Sequence, residues 1–415
     1  MIRTMPGHDF PNIRHLRAFS EVARFRGISA AAETVFLSQP AITQAISKLE
    51  ARLGVNLFDR LADGMQTTKA GGLYLARVRR MLAELERGAR EAAQHAGRTA
   101  KGFAAFDRLM TAAQLRAVIA LSDAGNFSIA ARNTGISQPS IHRAAHDLER
   151  LAGFPLFRTA SHGVELTISA EHLARRAKLA AAELQQAEFE LAAYKGRDVT
   201  RVTIGSMPLS RTSILPQAFD DILKQNAGIQ LQTIDGPYPE LLRGLRHGET
   251  DFLIGALRNP PPVEDVVQEP LFEDSLSIVV RDGHPLAGAQ TVTLEDTLTF
   301  PWIAPPKPTP AGSYLSDVLR IPELENTPVR VISSSLVLLR GLLMKGDYIT
   351  IISDHQAEIE LRQGLFVTLP IDLPDNARTI GLTFRAGWVP TKTQARFLNF
   401  VRAAAKVSHP YAQTE

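Results

Sequence analysis

Between Ser38 and Lys48 the chain carries side chains that could hydrogen-bond the edges of nucleic-acid bases and the phosphates beside them. Gln39, Thr43, Gln44, Ser47 and Lys48 share one helical face, opposite Ile42, Ala45, Ile46 and Leu49, whose spacing marks a buried stripe. Amides and hydroxyls suit base edges, whereas Ser38, Lys48 and Arg60 are better placed for phosphates. Ser38 can also cap the helix start, with Pro40 in the first turn, where its missing N–H costs nothing. The pattern returns 99 residues later as Ser137-Gln138-Pro139-Ser140-Ile141-His142-Arg143. Gln138, Ser140, His142 and Arg143 are the matching candidates there, and Asp147 stands in place of Lys48.

A different chemistry is suggested in the carboxy-terminal half. Ser206, Met207, Gly255, Ala256 and Ser353 fall at the ends of β-branched runs, and Ser333, Ser334 and Ser335 open a helix running toward Met344. Such hydroxyls and free amides can cradle a carboxylate or hydroxyl, with Trp302-Ile303-Ala304-Pro305 as a wall. Helix capping is the alternative role for each serine. Arg211 is either a counter-charge or a solvated arginine. Other chemistry lacks its residues: there is no GxxxxGK[ST], no dinucleotide glycine fingerprint, no HExxH and no GxSxG elbow. The 11 histidines show no metal-ligand spacing and there is no cysteine, so neither an enzyme, a metal nor a cofactor is expected.

The elements that must position these groups form a repeat. Residues 12–72 align with 111–171 without a gap, and 18 of the 61 pairs are identical. Ile13, Leu16, Phe19 and Val22 mark a first helix, and Ser29-Ala30-Ala31-Ala32 opens a second. After the polar-faced helix come two short extended pieces around Leu61–Met65, a wing following a helix-turn-helix. Each copy leads into a long helix with a heptad seam. The first seam is Leu75, Val78, Leu82, Leu85, Ala89, Ala92 and Ala96, and the second is Leu173, Ala177, Ala180, Leu184, Ala187 and Leu191. Gly97–Gly102 and Lys195–Asp198 break the chain after each. From Val199, strands alternate with helices, which implies parallel sheets covered on both faces.

Charge divides along the same lines. Residues 1–100 hold 15 Lys and Arg against 9 Asp and Glu (net +6), and 101–196 hold 11 against 9 (net +2). Residues 197–415 hold 20 against 25 (net −5), so the first third has the sign for a polyanion partner and the last half does not. A hydrophobic content of 45% supports real cores, and no apolar run approaches a membrane span. The N-terminus Met1–His8 lacks a signal-peptide apolar core, and with no cysteine the chain is expected in the cytoplasm.

Gln39-Pro40-Ala41-Ile42-Thr43, Leu49-Glu50, Leu57-Phe58-Asp59-Arg60 and Thr68-x-Ala70-Gly71 resemble the winged helix-turn-helix of LysR-type transcriptional regulators. The second copy departs at Arg158-Thr159 and Ser169-Ala170-Glu171. Ile204-Gly205, Leu215-Pro216, Gly248-x-x-Asp251, Gly283-His284-Pro285-Leu286 and Gly346-Asp347-Tyr348-Ile349-Thr350 resemble that family's effector domain, which is like a periplasmic solute-binding fold. The resemblance implies two α-rich winged helix-turn-helix domains (12–69 and 108–168), linker helices (70–100 and 169–196) and a two-subdomain α/β effector domain (199–410). It implies double-stranded operator DNA as partner, a small-molecule effector, a homodimer or homotetramer, and RNA polymerase as a further candidate partner. Ile380–Ala386 looks closest to a subgroup responsive to sugars and aromatic or organic acids. The competing expectation is a cytoplasmic solute-binding or scaffold protein whose heads serve assembly only. If the two long helices pair within one chain, a dimer would present four heads.

Overall fold

The computed structural model describes residues 10–62, 64–97, 105–161 and 163–407. Residues 1–8, Asp63 in the wing loop, the break at 98–102 and the domain end at 408–410 lie outside them. The chain divides into two compact units between Thr200 and Arg201.

In the first unit, α1 (Ile13–Phe25), α2 (Ile28–Val35) and α3 (Gln39–Leu53) precede β1 (Phe58–Leu61), β2 (Gly64–Thr67) and the long α4 (Lys69–Ala96). The order repeats as α5 (Ala112–Ala124), α6 (Phe127–Thr134), α7 (Gln138–Ala152), β3 (Phe157–Ala160), β4 (Gly163–Leu166) and α8 (Ile168–Tyr194). Several identities of the repeat are explained by this frame. Glu50 Oε1 accepts from Leu57 N (2.7 Å) and Phe58 N (3.4 Å), fixing the start of the wing to α3. Glu149 Oε1 does the same for Leu156 N (2.9 Å) and Phe157 N (3.1 Å). Thr68 and Thr167 cap α4 and α8.

The wing glycines are demanded by close approach. A Cβ on Gly64 (φ 125°) would lie 2.4 Å from Arg26 O, and one on Gly163 (φ 143°) 2.5 Å from Gly125 O. The obstacles are backbone atoms of the turns after α1 and α5, the first helix of each copy. Gly64→Ala is therefore expected to cost more than about 1 kcal/mol, read as a lower melting temperature of the first unit.

The two long helices pair with each other, antiparallel, inside one chain. Lys69 at the start of α4 lies over the Tyr194 ring at the end of α8, and His95 stacks on His172 with centroids 4.2 Å apart. Their seam buries Leu75, Val78, Met81, Leu85, Ala89 and Ala92 against Leu173, Ala177, Ala180, Leu184, Ala187 and Leu191. Met81 takes a fully buried place; Leu82 and Ala96, expected in the seam, are only half-buried. Arg77 bonds Glu183 (3.0 Å), Gln186 (2.5 Å) and Glu190 (2.6 Å). Across the seam Arg176 bonds Glu84 (2.9 Å) and Glu91 (2.5 Å). These residues are related by the same 99-residue offset: Arg77 with Arg176, Glu84 with Glu183, Glu91 with Glu190. The ion pairs thus obey an internal twofold.

The second unit holds two five-stranded sheets. The first has the order β6-β5-β7-β14-β8, from β5 (Arg201–Ser206), β6 (Gln230–Ile234), β7 (Phe252–Ala256), β8 (Val266–Asp274) and the late β14 (Arg378–Arg385). Helices α9 (Ile214–Gln225), α10 (Tyr238–Arg246) and α15 (Lys392–Val407) belong with it. The second has the order β11-β10-β12-β9-β13, from β9 (Leu276–Arg281), β10 (Trp302–Ala304), β11 (Val329–Ile332), β12 (Ile349–Ser353) and β13 (Phe366–Thr368). The short α11 (Leu294–Thr297), α12 (Pro310–Ser313), α13 (Leu336–Leu343) and α14 (Glu358–Arg362) complete it.

The expectation of purely parallel sheets needs correction. β14 runs antiparallel to β7 and β8, and β9 antiparallel to β12 and β13. The chain passes from the first sheet to the second at β8–β9 and returns at β14, so the first sheet takes in a strand from beyond the whole second sheet. Alternation along the strands sends Trp302 and Ala304 to one core and Ile303 to the opposite one.

Candidate nucleic-acid interface and ligand cleft

Helix α3 presents the first polar face. Ser38 is extended (φ −69°, ψ 152°), and its hydroxyl accepts from Ala41 N at 3.4 Å, satisfying one of the orphan amides. Gly54 ends the helix in the left-handed region (φ 63°). Ile42, Ala45, Ile46 and Leu49 are buried, which leaves Ser38, Gln39, Pro40, Gln44, Ser47 and Lys48 exposed. Thr43 is half-buried and donates to Gln39 O at 3.1 Å. Exposed Arg60 sits on β1, and a concavity of about 350 Å³ brings Arg60 together with Thr43 and Ser47. Recognition helix and wing therefore share one surface.

Helix α7 exposes the second set, with more side chains tied down. Ser137 makes no cap to the helix amides; its hydroxyl lies 2.8 Å from that of Ser140. Gln138 Oε1 accepts from Ser128 Oγ at 3.1 Å. His142 packs its ring 5.1 Å from Phe127, and its Nε2 lies 3.1 Å from His146 Nε2. His146 Nδ1 is 2.8 Å from Glu149 Oε2, so one row of bonds runs down the helix. Asp147 is paired with Arg150, while Arg143 is exposed.

In the second unit a cleft of about 420 Å³ lies between the two sheets. Met207, Ala256, Ser333, Ser334 and Ser353 line it, as does Arg211, which pairs with Asp235 at 3.4 Å. The other candidates do not. Trp302 is fully buried in the second core, its indole N–H donating to Thr297 O at 3.1 Å; it is a central strand residue and not a wall. Ser335 caps α13 through Leu338 N (3.3 Å), the alternative role considered for it. Ser206 is buried behind the strand end, with a hydroxyl that finds no hydrogen-bond partner among the described residues. Gly255 acts through its missing side chain, since a Cβ there would lie 2.5 Å from Met207 Cε.

Ser353 faces the cleft but is already engaged, donating to Asp274 Oδ1 at 2.8 Å and accepting from Gln356 N at 3.2 Å. Asp274 also receives both Arg378 Nε (3.1 Å) and Nη2 (2.9 Å), holding together the strands that cross between sheets. Sequence reasoning missed Arg258, whose guanidinium stands 4.8 Å over the Tyr238 ring on the cleft wall, and also Arg378. Of the expected wall, Pro305 lines the cleft, and the run Pro306-Lys307-Pro308-Thr309-Pro310 after it was a legible signal, because rigid prolines make much of that wall.

Comparison with known proteins matches both units to one family. The model described as "LysR substrate binding domain" matches residues 195–406. "Bacterial regulatory helix-turn-helix protein, lysR family" matches twice, at 13–72 and 112–171. The HTH-type transcriptional regulator GalR of Pseudomonas putida is 33% identical over 394 residues, covering 95% of this chain and 97% of its own. PcaQ of Agrobacterium fabrum, also an HTH-type transcriptional regulator, is 26% identical over 270 residues, 65% of this chain and 87% of its own. A full-length OxyR variant from Pseudomonas aeruginosa matches in fold with a TM-score of 0.53 at 21% identity, over 73% of this chain and 98% of that one. Among the described residues no helix is long and apolar enough to cross a membrane.

Proposed function

The chain belongs to the LysR-type family of DNA-binding transcriptional regulators, which are controlled by an effector bound in the carboxy-terminal domain, and on that premise we propose that one chain grips operator DNA with two heads at once. The observation that carries this reading is the ion-pair network between α4 and α8, repeated about an internal twofold. A pairing of heads that would otherwise need two chains is supplied by one, so a dimer of this protein brings four. Gln39, Thr43 and Gln44 read bases in the first head, with Ser38, Pro40, Lys48 and Arg60 at the backbone. Gln138, Ser140, His142 and Arg143 take the corresponding places in the second.

The test is a mobility shift on the full chain across a salt series. Affinity should fall steeply, linearly in the logarithms, because bound phosphates release counterions. Lys48→Ala should weaken binding to all sequences and lower the salt slope by about 1, whereas Gln39→Ala should relax sequence preference and leave the slope unchanged. A salt-independent interaction would favour heads that serve assembly only.

For the cleft, the lining favours a small organic acid over a neutral sugar. Arg258 supplies positive charge, Ser333 and Ser334 supply hydroxyls, and Pro306, Tyr238 and Met207 supply apolar surface, while Arg211 is paired with Asp235 on the same lining. Titration calorimetry with aromatic and aliphatic carboxylates and with neutral sugars should give binding for a carboxylate. Arg258→Ala should then weaken it about tenfold or more, the loss of a charge-assisted bond. Equal binding of neutral sugars by parent and variant would overturn the choice.

A further inference from the structure

We infer that the two heads of one chain read unlike half-sites in a fixed order, so that the duplex stretch under one chain is not a palindrome. This rests on the reading that both heads hold DNA, and deepens it. A symmetric dimer of identical heads faces DNA with two copies of one surface, and its operator mirrors that symmetry. Here the frame keeps the twofold while the contact faces break it. Ile42 and Ile141, Ala45 and Ala144, Leu49 and Leu148 occupy matching places on the inner faces of α3 and α7. The wing anchors Glu50 and Glu149 make the same bonds, and the Arg77 and Arg176 networks are images of each other.

The outward positions differ almost throughout. After the shared Ser-Gln-Pro start, Ala41 is matched by Ser140, Thr43 by His142, Gln44 by Arg143, Ser47 by His146 and Lys48 by Asp147. The substitutions change what each face can recognise. A glutamine amide is shaped for the N6/N7 edge of adenine, whereas an arginine fork is shaped for O6/N7 of guanine. Arg143 therefore asks for a guanine where Gln44 asks for an adenine.

The second face is also an ordered one. His142 is held between Phe127 and His146, Gln138 is tied to Ser128, and Asp147 is neutralised by Arg150 instead of facing phosphate alone. Its wing keeps an exposed arginine, Arg158, at the place of Asp59, where the first head has Arg60 one position on. A head retained only to hold the frame would have no need of these groups.

The experiment selects bound sequences from random DNA with the full-length protein, then compares three short duplexes, each long enough for one pair of half-sites. One carries the selected pair; the others are palindromes of its left half and of its right half. The selected pair should bind tighter than either palindrome, on the order of ten- to a hundredfold. The double variant His142→Thr with Arg143→Gln should move preference toward the palindrome read by the first head. Because both positions are exposed, circular dichroism should stay unchanged and confirm folding. A selected stretch that is itself palindromic, or a double variant with unaltered preference, would overturn the inference while leaving DNA binding intact. Absence of salt-dependent binding by the parent chain would instead overturn the reading beneath it.

Discussion

Arg77→Ala should destabilise the first unit by about 3–5 kcal/mol, the cost of leaving Glu190 without this cation and Glu183 with the partly exposed Arg80. The Arg77 side chain is 3% exposed and sits between Glu183 and Glu190, themselves 11% and 17% exposed. Burial works against its charge, but hydrogen bonds and attraction from Glu190 and Glu183 more than offset it, so the guanidinium is held above its ordinary value. Arg176→Ala, its image by the internal twofold, should cost less, because its side chain is 16% exposed and water can partly replace the lost partner. Chemical denaturation of the full chain, followed by a probe in the heads, reads both. Replacing the buried group, Arg77→Met with Glu183→Leu and Glu190→Leu, should recover part of the loss, since Arg80, 34% exposed, can turn to water. A cost below about 1 kcal/mol for Arg77→Ala would mean that the network is screened like a surface pair.

The same network carries an acid-sensitive group. Burial pushes the Glu91 carboxyl up, but the Arg176 hydrogen bond and the charges of Arg176 and Arg175 outweigh it, so its value is lowered. A lowered carboxyl contributes stability that is present above its unfolded value and is lost as pH falls through the folded one. The seam should therefore weaken on the acid side of the ordinary glutamate range. A stability profile rising with acidification in that window would contradict the assignment.

Glu50→Ala should destabilise the first head by about 1–3 kcal/mol. Two amides, Leu57 N and Phe58 N, would lose their acceptor where the chain turns from α3 into the wing. Glu50→Gln keeps an acceptor oxygen in the same place and should recover most of the stability, which separates the hydrogen bond from the charge. DNA affinity should follow the same order, because Arg60 rides on the strand that Glu50 anchors. Equal loss in both variants would shift the role of Glu50 from acceptor to charge.

The repeat, the polar face of α3 and the alternation of strand and helix were all legible in the residues. Each is a local signal, written within a turn of helix or a few strand positions: Ser38 before Pro40, Ile42 to Leu49 at helical spacing. The heptad seams likewise marked α4 and α8 as helices that must be covered. Apolar spacing states that a partner exists but not which one, and only the packed structure decided that the partner is the other helix of the same chain. It then showed why Arg77 and Arg176 stand 99 residues apart.

In the second unit the same boundary holds. Strand positions were readable from β-branched runs, but the direction of β14 and β9 depends on where a crossover lands, and no short window records that. Trp302 looked like a wall because aromatic side chains suit both cleft and core; strand pairing on both sides of β10 sent it to the core. Ser333 and Ser334, in the loop between β11 and α13, reached the cleft while Ser335 took the cap. Arg258 gained its place by crossing space to Tyr238, twenty residues away in sequence.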